Sequence, residues 1–300
     1  METTEFIWMN GKLIPWGEAT THVLTHSLHY GGGVFEGIRC YQTKKGTAVF
    51  RLKEHMDRLY YSADVLKMEV PWSQEEMTKA LVETVRDNKL EGGYIRPLIY
   101  FGYGKMGLNP EGAPVEAIVA CWPWGKYLGH DAVKVKISDY IRIHPKSSVT
   151  DAKICGHYVN SILGVLSIRD TEYHEALFLD FEGNVAEGPG ENLFIVKDGV
   201  LVTPPLGKIL AGITRDTLMG MAKDMGYEVR EQVLTPEDLF KADEAFFTGT
   251  AAEVTPIASI DDHIYGDGMP GQVSSKLREA YMEIVHGRNE KYEHYLTYVS

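Results

Sequence analysis

The sequence predicts an α+β fold with mixed or largely antiparallel sheets. Two observations carry that class. Strand-like and helix-like segments occur in comparable numbers, and several neighbouring strand segments are joined by tight-turn signals. No repeat with a period of about 20–50 residues runs through the chain, so a solenoid or propeller is not expected.

The elements follow in order. Phe6-Ile7-Trp8-Met9 and Lys12-Leu13-Ile14 flank Asn10-Gly11, the dipeptide that two-residue hairpins prefer. After the run Gly46-Thr47-Ala48-Val49-Phe50, residues 53–66 carry helical spacing. Ser73 and Glu76 form a capping-box pattern ahead of Met77, Leu81 and Val85, which starts a second helix. Strands are expected over 94–103 and 117–124. Residues 125–130 read as a hinge, and Val133-Lys134-Val135-Lys136-Ile137 alternates as a half-exposed strand. The domain boundary is placed there: a small α/β domain over 1–122, an interdomain loop over 123–132 and a larger domain over 133–300. Beyond it come a helix over 158–174 and hairpins over 176–185 and 193–203, the second turning at Asp198-Gly199. Three further helices are expected over 214–225, 236–241 and 273–286.

The 300 residues bear a formal net charge of −12, with 44% apolar and 24% charged side chains. Nucleic acid and anionic membrane are not attracted to such a surface, so neither is expected as a partner. An anionic ligand must be captured by local cations and backbone amides. Cys40, Cys121 and Cys155 are too few and too scattered for a disulfide framework, and read as reduced thiols. The first residues are acidic where a secretory signal is basic, and no apolar run approaches the roughly 20 residues that span a bilayer. A cytoplasmic protein is expected. No metal site is expected either, because no ligand cluster of convincing spacing stands out.

Two segments hold the most informative residues: Asp151-Ala152-Lys153-Ile154-Cys155-Gly156-His157-Tyr158 and Glu187-Gly188-Pro189-Gly190-Glu191-Asn192-Leu193-Phe194. Taken alone, Lys153 reads as a solvated lysine, Tyr158 as a core aromatic and Glu187 as a turn carboxylate. Yet the small, mostly apolar neighbours of Lys153 favour a neutral, nucleophilic amine. One amine, one phenol and one carboxylate are the groups needed to hold a pyridine-aldehyde cofactor: a Schiff-base lysine, a partner for the ring hydroxyl and an anion for the ring nitrogen.

The wording and spacing of these segments closely resemble the branched-chain amino-acid aminotransferases of the class IV pyridoxal-phosphate family, over about residues 6–257. The resemblance implies the sheet topology and two domains, each a mixed or antiparallel sheet with packed helices. It also implies that Lys153 carries pyridoxal 5'-phosphate and shuttles the substrate proton, Glu187 faces the pyridine nitrogen, and Tyr158 meets the ring hydroxyl. By the same likeness Arg58, in Glu54-His55-Met56-Asp57-Arg58, binds the phosphate, together with Gly190, the helix start at Ile213-Thr214, and Thr250. Alone, Arg58 reads as a salt-bridge former and Thr214 as an N-cap; a helix start offers N–H groups to an anion in any case.

Substrate contacts are implied for Tyr30, Phe35, Gly37 and Arg39 on the Gly-rich segment, and for Tyr94 and Arg96 on the other wall. Met106, Trp124 and Tyr127 add to the lining, and Ala251 and Ala252 supply amides to the substrate carboxylate. A dimer is implied as the catalytic unit, since Tyr30 and its loop serve the neighbouring subunit in this family; a higher homo-oligomer stays open. The expected reaction moves the amino group of leucine, isoleucine or valine to 2-oxoglutarate. The rival is a D-amino-acid or (R)-amine aminotransferase on the same scaffold. Two departures, His157 and Gly32-Gly33, bear on substrate breadth.

Overall fold

The computed structural model describes residues 2–125 and 128–299, and it folds as two units. The first comprises residues 1–125, 152–157 and 284–300; the second comprises 126–151 and 158–283.

In the first unit the strands are β1 (Phe6–Met9), β2 (Lys12–Pro15), β3 (Gly33–Phe35), β4 (Ile38–Thr43), β5 (Gly46–Phe50), β6 (Gly93–Phe101) and β7 (Val115–Trp122). The helices are α1 (His26–Tyr30), α2 (Leu52–Val65) and α3 (Gln74–Asp87). The strands form one antiparallel sheet in the order β5-β4-β6-β7-β1-β2, with β3 added on β6. Local chemistry sets several elements. Asn10 and Gly11 take positive φ in the β1–β2 turn, and the Ser73–Glu76 capping box closes reciprocally at the start of α3. The apolar faces of α2 and α3 (Met56, Leu59, Met77, Leu81, Val85) bury against Ile38, Ile95, Val119 and Cys121 of the sheet.

The second unit holds β8 (Val133–Ile137), β9 (Glu175–Leu177), β10 (Asn192–Lys197), β11 (Val200–Thr203), β12 (Val229–Glu231), β13 (Glu244–Gly249), β14 (Glu253–Ile260) and β15 (His263–Ile264). Its helices are α4 (Tyr158–Ser167), α5 (Ile213–Asp224), α6 (Pro236–Phe240) and α7 (Gln272–Val285), the last ending in residues of the first unit. The sheet order is β12-β11-β10-β13-β14-β8-β9, with β15 on β14. It is mixed, because β8 runs parallel to both β9 and β14 and β12 runs parallel to β11. The β10–β11 turn is Asp198-Gly199, both at positive φ as a type I′ hairpin requires.

Two expectations change, and a third holds. The continuous domain over 133–300 is interrupted, because residues 152–157 and 284–300 belong to the first unit. There β16 (Leu296–Tyr298) extends the antiparallel sheet at β5, and Ile154 pairs with Val34. The helix expected over 158–174 stops at Ser167, and Thr171 then donates its hydroxyl to the Ile168 carbonyl in a tighter turn. The hairpin expected over 176–185 forms: Leu179 bridges Val185 in antiparallel sense, and the Asp180 carboxylate accepts the Glu182 and Asn184 amides in its turn, while β9 itself pairs in parallel with β8. Among the described residues no helix is long and apolar enough to cross a membrane.

Glu175 on β9 is buried, and its carboxylate accepts the Ala176 N–H at 2.9 Å. Burial pushes its carboxyl up from the usual 4.5 to about 7. The folded state therefore holds an extra proton between those two values, and stability falls as pH rises through that window. The cost above pH 7 is roughly 3 kcal/mol. Glu175→Gln should raise the thermal midpoint at pH 8 and leave it unchanged at pH 4. Equal midpoints at both pH values would show that Glu175 stays ionised in the fold.

Candidate active site

In the first unit the chain segment carrying Lys153 is clamped from two sides. The Phe35 N–H donates to the Lys153 carbonyl at 3.2 Å, and the Lys153 N–H donates to Ser62 Oγ on α2 at 2.9 Å. Its ammonium stands 5.0 Å from the centroid of the Phe35 ring. The Arg96 guanidinium covers the same ring at 4.6 Å and donates through Nη2 to the Tyr94 hydroxyl at 3.2 Å. Arg96 Nε is buried and has no hydrogen-bond partner among the described residues. A buried orphan donor is costly unless a ligand uses it, so this edge of Arg96 suits an anionic group.

The wall around Arg96 depends on close contacts. A Cβ at Gly37 would lie 1.8 Å from the Tyr94 hydroxyl, so only glycine leaves that ring its place. Tyr94 packs edge-on to Trp124 at 4.4 Å, and Arg39 Nη2 fixes the backbone there by donating to the Trp124 and Gly125 carbonyls at 3.0 and 2.6 Å. Phe35, Gly37, Arg39, Tyr94, Arg96, Trp124 and Lys153 are thus linked through direct contacts within one unit. Tyr30 and Met106 are 43% and 42% exposed, and lie on α1 and the loop that follows β6. Tyr127 lies outside the described residues.

The Gly32-Gly33 departure has a packing reason, which the neighbouring Gly31 shares. A Cβ on Gly31 would come within 2.8 Å of Gly156 Cα, and one on Gly32 within 2.9 Å of the Phe101 ring. One on Gly33 would press on Cys155 Sγ and Tyr100. Cys155 is filler there, its thiol pushed up to about 11 by burial. His22 and His26 stand four apart, a spacing seen in metal-binding helices. His26 Nε2 is instead paired with the Gly107 carbonyl, and the His22 ring lies 4.1 Å from that of Tyr103.

Arg58 is on α2 as expected, but its fork is engaged. Nε and Nη2 donate to the two oxygens of Glu36 at 2.5 and 2.9 Å. Glu36 is fully buried between Phe35 and Gly37 in sequence, and also accepts from His55 Nδ1 at 2.7 Å. Glu36 and His55 carried no expectation, although Glu36 lies between Phe35 and Gly37 and His55 three residues before Arg58.

In the second unit Glu187 is buried and surrounded by donors. Arg142 Nε donates to it at 2.6 Å, Asn192 Nδ2 at 3.0 Å and the Leu210 N–H at 3.1 Å. An idle turn carboxylate would sit in water; this one is buried and paired with a buried guanidinium. The strand register explains the position: the Phe178 N–H donates to the Glu187 carbonyl, and Glu187 pairs with Asn192 at the start of β10. Arg142 was not anticipated, since nothing local marks an arginine 45 positions upstream as a partner. Asn192 lay in the quoted segment without a role.

The remaining groups surround that strand end. Ser161 Oγ of α4 donates to the Pro189 carbonyl at 2.7 Å, which ties the helix that begins at Tyr158 to the Glu187–Gly190 turn. Ile213 and Thr214 open α5 behind Gly212, which has no side chain to cap the first amides. A Cβ at Gly212 would fall 1.8 Å from Asn192 Oδ1, so the uncapped start follows from the Glu187 network. Thr250 and Ala251 are half-buried at the tip of the β13–β14 hairpin, and the Ala252 carbonyl accepts from Thr255 Oγ1 at 2.7 Å.

Each unit carries donors that suit a part of pyridoxal phosphate. In the second, a fixed carboxylate suits a protonated pyridine nitrogen and an uncapped helix start suits a phosphate; in the first, an arginine suits a phosphate and a clamped lysine suits an aldehyde. Comparison with known proteins agrees. The model of the amino-transferase class IV family matches residues 33–260. A branched-chain-amino-acid aminotransferase of Pseudomonas aeruginosa is 47% identical over 297 residues, 98% of this chain and 97% of that protein. The branched-chain amino acid aminotransferase of Escherichia coli, as a solved structure, superposes with a TM-score of 0.96 at 44% identity, covering 99% of this chain and 100% of that one. The enzyme from the thermophilic archaeon Thermoproteus uzoniensis, solved with norvaline, gives a TM-score of 0.95 at 43% identity over the same shares of the two chains. With the fold, the donor set and these likenesses in agreement, the chain belongs to the class IV aminotransferases and, within them, to the branched-chain amino-acid aminotransferase family.

Proposed function

We propose that the chain is an aminotransferase that moves the amino group of L-leucine, L-isoleucine or L-valine to 2-oxoglutarate, with pyridoxal 5'-phosphate as cofactor. The observation that carries this reading is the buried Glu187 carboxylate, held by Arg142 and Asn192, in a chain whose relatives are branched-chain aminotransferases. When bound, the cofactor supplies an electron-accepting ring for the pair left when the substrate Cα–H bond breaks.

The chain's residues take the following parts. Lys153 Nζ would hold the cofactor through its aldehyde carbon and, once the substrate amine has displaced it, would carry the proton between the substrate Cα and that cofactor carbon. Glu187 keeps a proton on the pyridine nitrogen, and Tyr158 donates to the ring hydroxyl. Arg58, Thr250, Gly190 and the Ile213 and Thr214 amides bind phosphate. The Ala251 and Ala252 amides take the α-carboxylate. Phe35 and Trp124 give an apolar wall for a leucine side chain, and Arg96 with Tyr30 and Tyr127 meets the γ-carboxylate of glutamate. One pocket accepts both because the anion has a dedicated cation at the apolar edge; buried unpaired, it would be expelled.

A homodimer is part of the proposal, since the α1 segment leaves Val23, Leu24, Leu28 and Tyr30 exposed as a surface for a second copy. The cytoplasm is the proposed location. Steady-state rates with 2-oxoglutarate across a panel of L- and D-amino acids test the reading. Activity confined to D-amino acids or (R)-amines would replace it with the rival.

Arg96→Ala should raise the KM for glutamate and 2-oxoglutarate by on the order of a hundredfold, and that for leucine by much less. Leucine presents no charge to the guanidinium. Following cofactor absorbance with each amino acid alone separates the two half-reactions. Equal damage to both would assign Arg96 to the common α-carboxylate.

A further inference from the structure

Glu36, His55 and Ser62 of the first unit have no part in the mechanism above, yet all three are buried. Glu36 and Ser62 complete a closed path, and His55 donates to Glu36 from beside it. The Lys153 N–H donates to Ser62 Oγ, and that hydroxyl donates to the Arg58 carbonyl at 2.7 Å. The Arg58 side chain grips Glu36 through Nε and Nη2, Glu36 is bonded to Phe35, and the Phe35 N–H returns to the Lys153 carbonyl. We propose that Glu36 and Ser62 are positioning residues that lock Arg58 and Lys153 into one hydrogen-bonded ring, presenting the phosphate cation and the reactive amine in fixed register. This rests on the reading of Arg58 and Lys153 as cofactor contacts.

The charges support a positioning role. Burial alone would push the Glu36 carboxyl up, but Arg58 and His55 hold it well below the usual carboxylate range. Burial, opposed by Glu36, lowers His55, so a neutral imidazole donates Nδ1–H to the carboxylate. The Arg58–Glu36 pair is therefore neutral as a whole, and its use to a phosphate lies in directed N–H groups, not in net charge. Side-on engagement through Nε and Nη2 fixes the guanidinium plane and aims its Nη1 edge away from Glu36.

The test is a double-mutant cycle read by absorbance titration of apoenzyme with pyridoxal phosphate. Glu36→Gln should weaken binding by on the order of ten- to a hundredfold. In an Arg58→Ala background the same change should leave affinity unchanged or improve it, because it then removes a carboxylate that has lost its arginine beside the phosphate. Equal losses in both backgrounds would overturn the proposal, since Glu36 would then act through the fold and not through Arg58. Glu36→Asp, which keeps the charge and shortens the reach, replaces Gln in the cycle should Gln not fold, with the same loss expected only where Arg58 is present. Ser62→Ala should slow the leucine half-reaction at saturating cofactor more than it weakens cofactor binding; a wild-type rate would remove the Lys153 arm. An Arg58→Ala protein that binds cofactor as tightly as wild type would sink the underlying assignment. A weakened Arg58→Ala beside an unaffected Glu36→Gln would sink this proposal alone.

Discussion

Lys153→Ala is expected to abolish covalent cofactor attachment and to lower the leucine half-reaction by at least about 10⁴-fold, the upper range for a positioned proton-transfer group. The side chain reaches over Phe35 from a backbone held on both sides, so its removal deletes the amine and leaves the wall standing. The Val34–Ile154 pairing and the buried Ala152 and Ile154 do not involve the amine, and the fold should survive. The protein should still bind cofactor noncovalently through the phosphate groups, and added methylamine should restore part of the proton transfer. Retention of the covalent absorption band in Lys153→Ala would sink the assignment. Full activity without it would do the same.

Glu187→Gln carries the second large effect. The carboxylate accepts from a guanidinium, an amide side chain and a backbone N–H, so all these neighbours are donors. A glutamine must turn its own NH₂ toward one of them. The change is therefore more than a lost charge: breaking a buried pair of this kind costs about 3–5 kcal/mol of stability, and Arg142 is left uncompensated. At saturating cofactor, turnover should fall by on the order of 10³-fold, as when one preorganised electrostatic partner is removed. Near wild-type turnover would return Glu187 to a structural role. A loss seen only in cofactor affinity would contradict its part in holding the nitrogen proton.

Local signals were legible in the sequence. The Asn10-Gly11 and Asp198-Gly199 turns and the Ser73–Glu76 box depend on residues within a few positions of one another, and each forms as read. Pairings between distant segments were not. Residues 152–157 join the first unit through Val34, Gly31 and Ser62, and β16 joins its sheet at β5; neither has a mark in the residues involved. The glycine run at 31–33 read as a loop, whereas Gly33 starts a strand and all three glycines are dictated by what packs on them.

The site divides the same way. Lys153, Glu187 and Arg58 stood out by motif, but what fixes each one did not. Arg142 reaches Glu187 from 45 positions away, and Glu36 reaches Arg58 from 22. Both contacts are buried ion pairs, a chemistry that depends on the fold to bring two charges together out of water. Glu36 even sits between two wall residues, in the short link between β3 and β4, and its carboxylate meets Arg58 of α2 while the Phe35 ring meets Arg96.

The most direct measurement is borohydride reduction of the purified holoenzyme followed by peptide mapping. The account predicts a single stable adduct of the cofactor's mass on the peptide that contains Ala152-Lys153-Ile154, and none after prior incubation with excess L-leucine has released the lysine. An adduct on any other lysine, or a yellow protein that yields no lysine adduct at all, would contradict it.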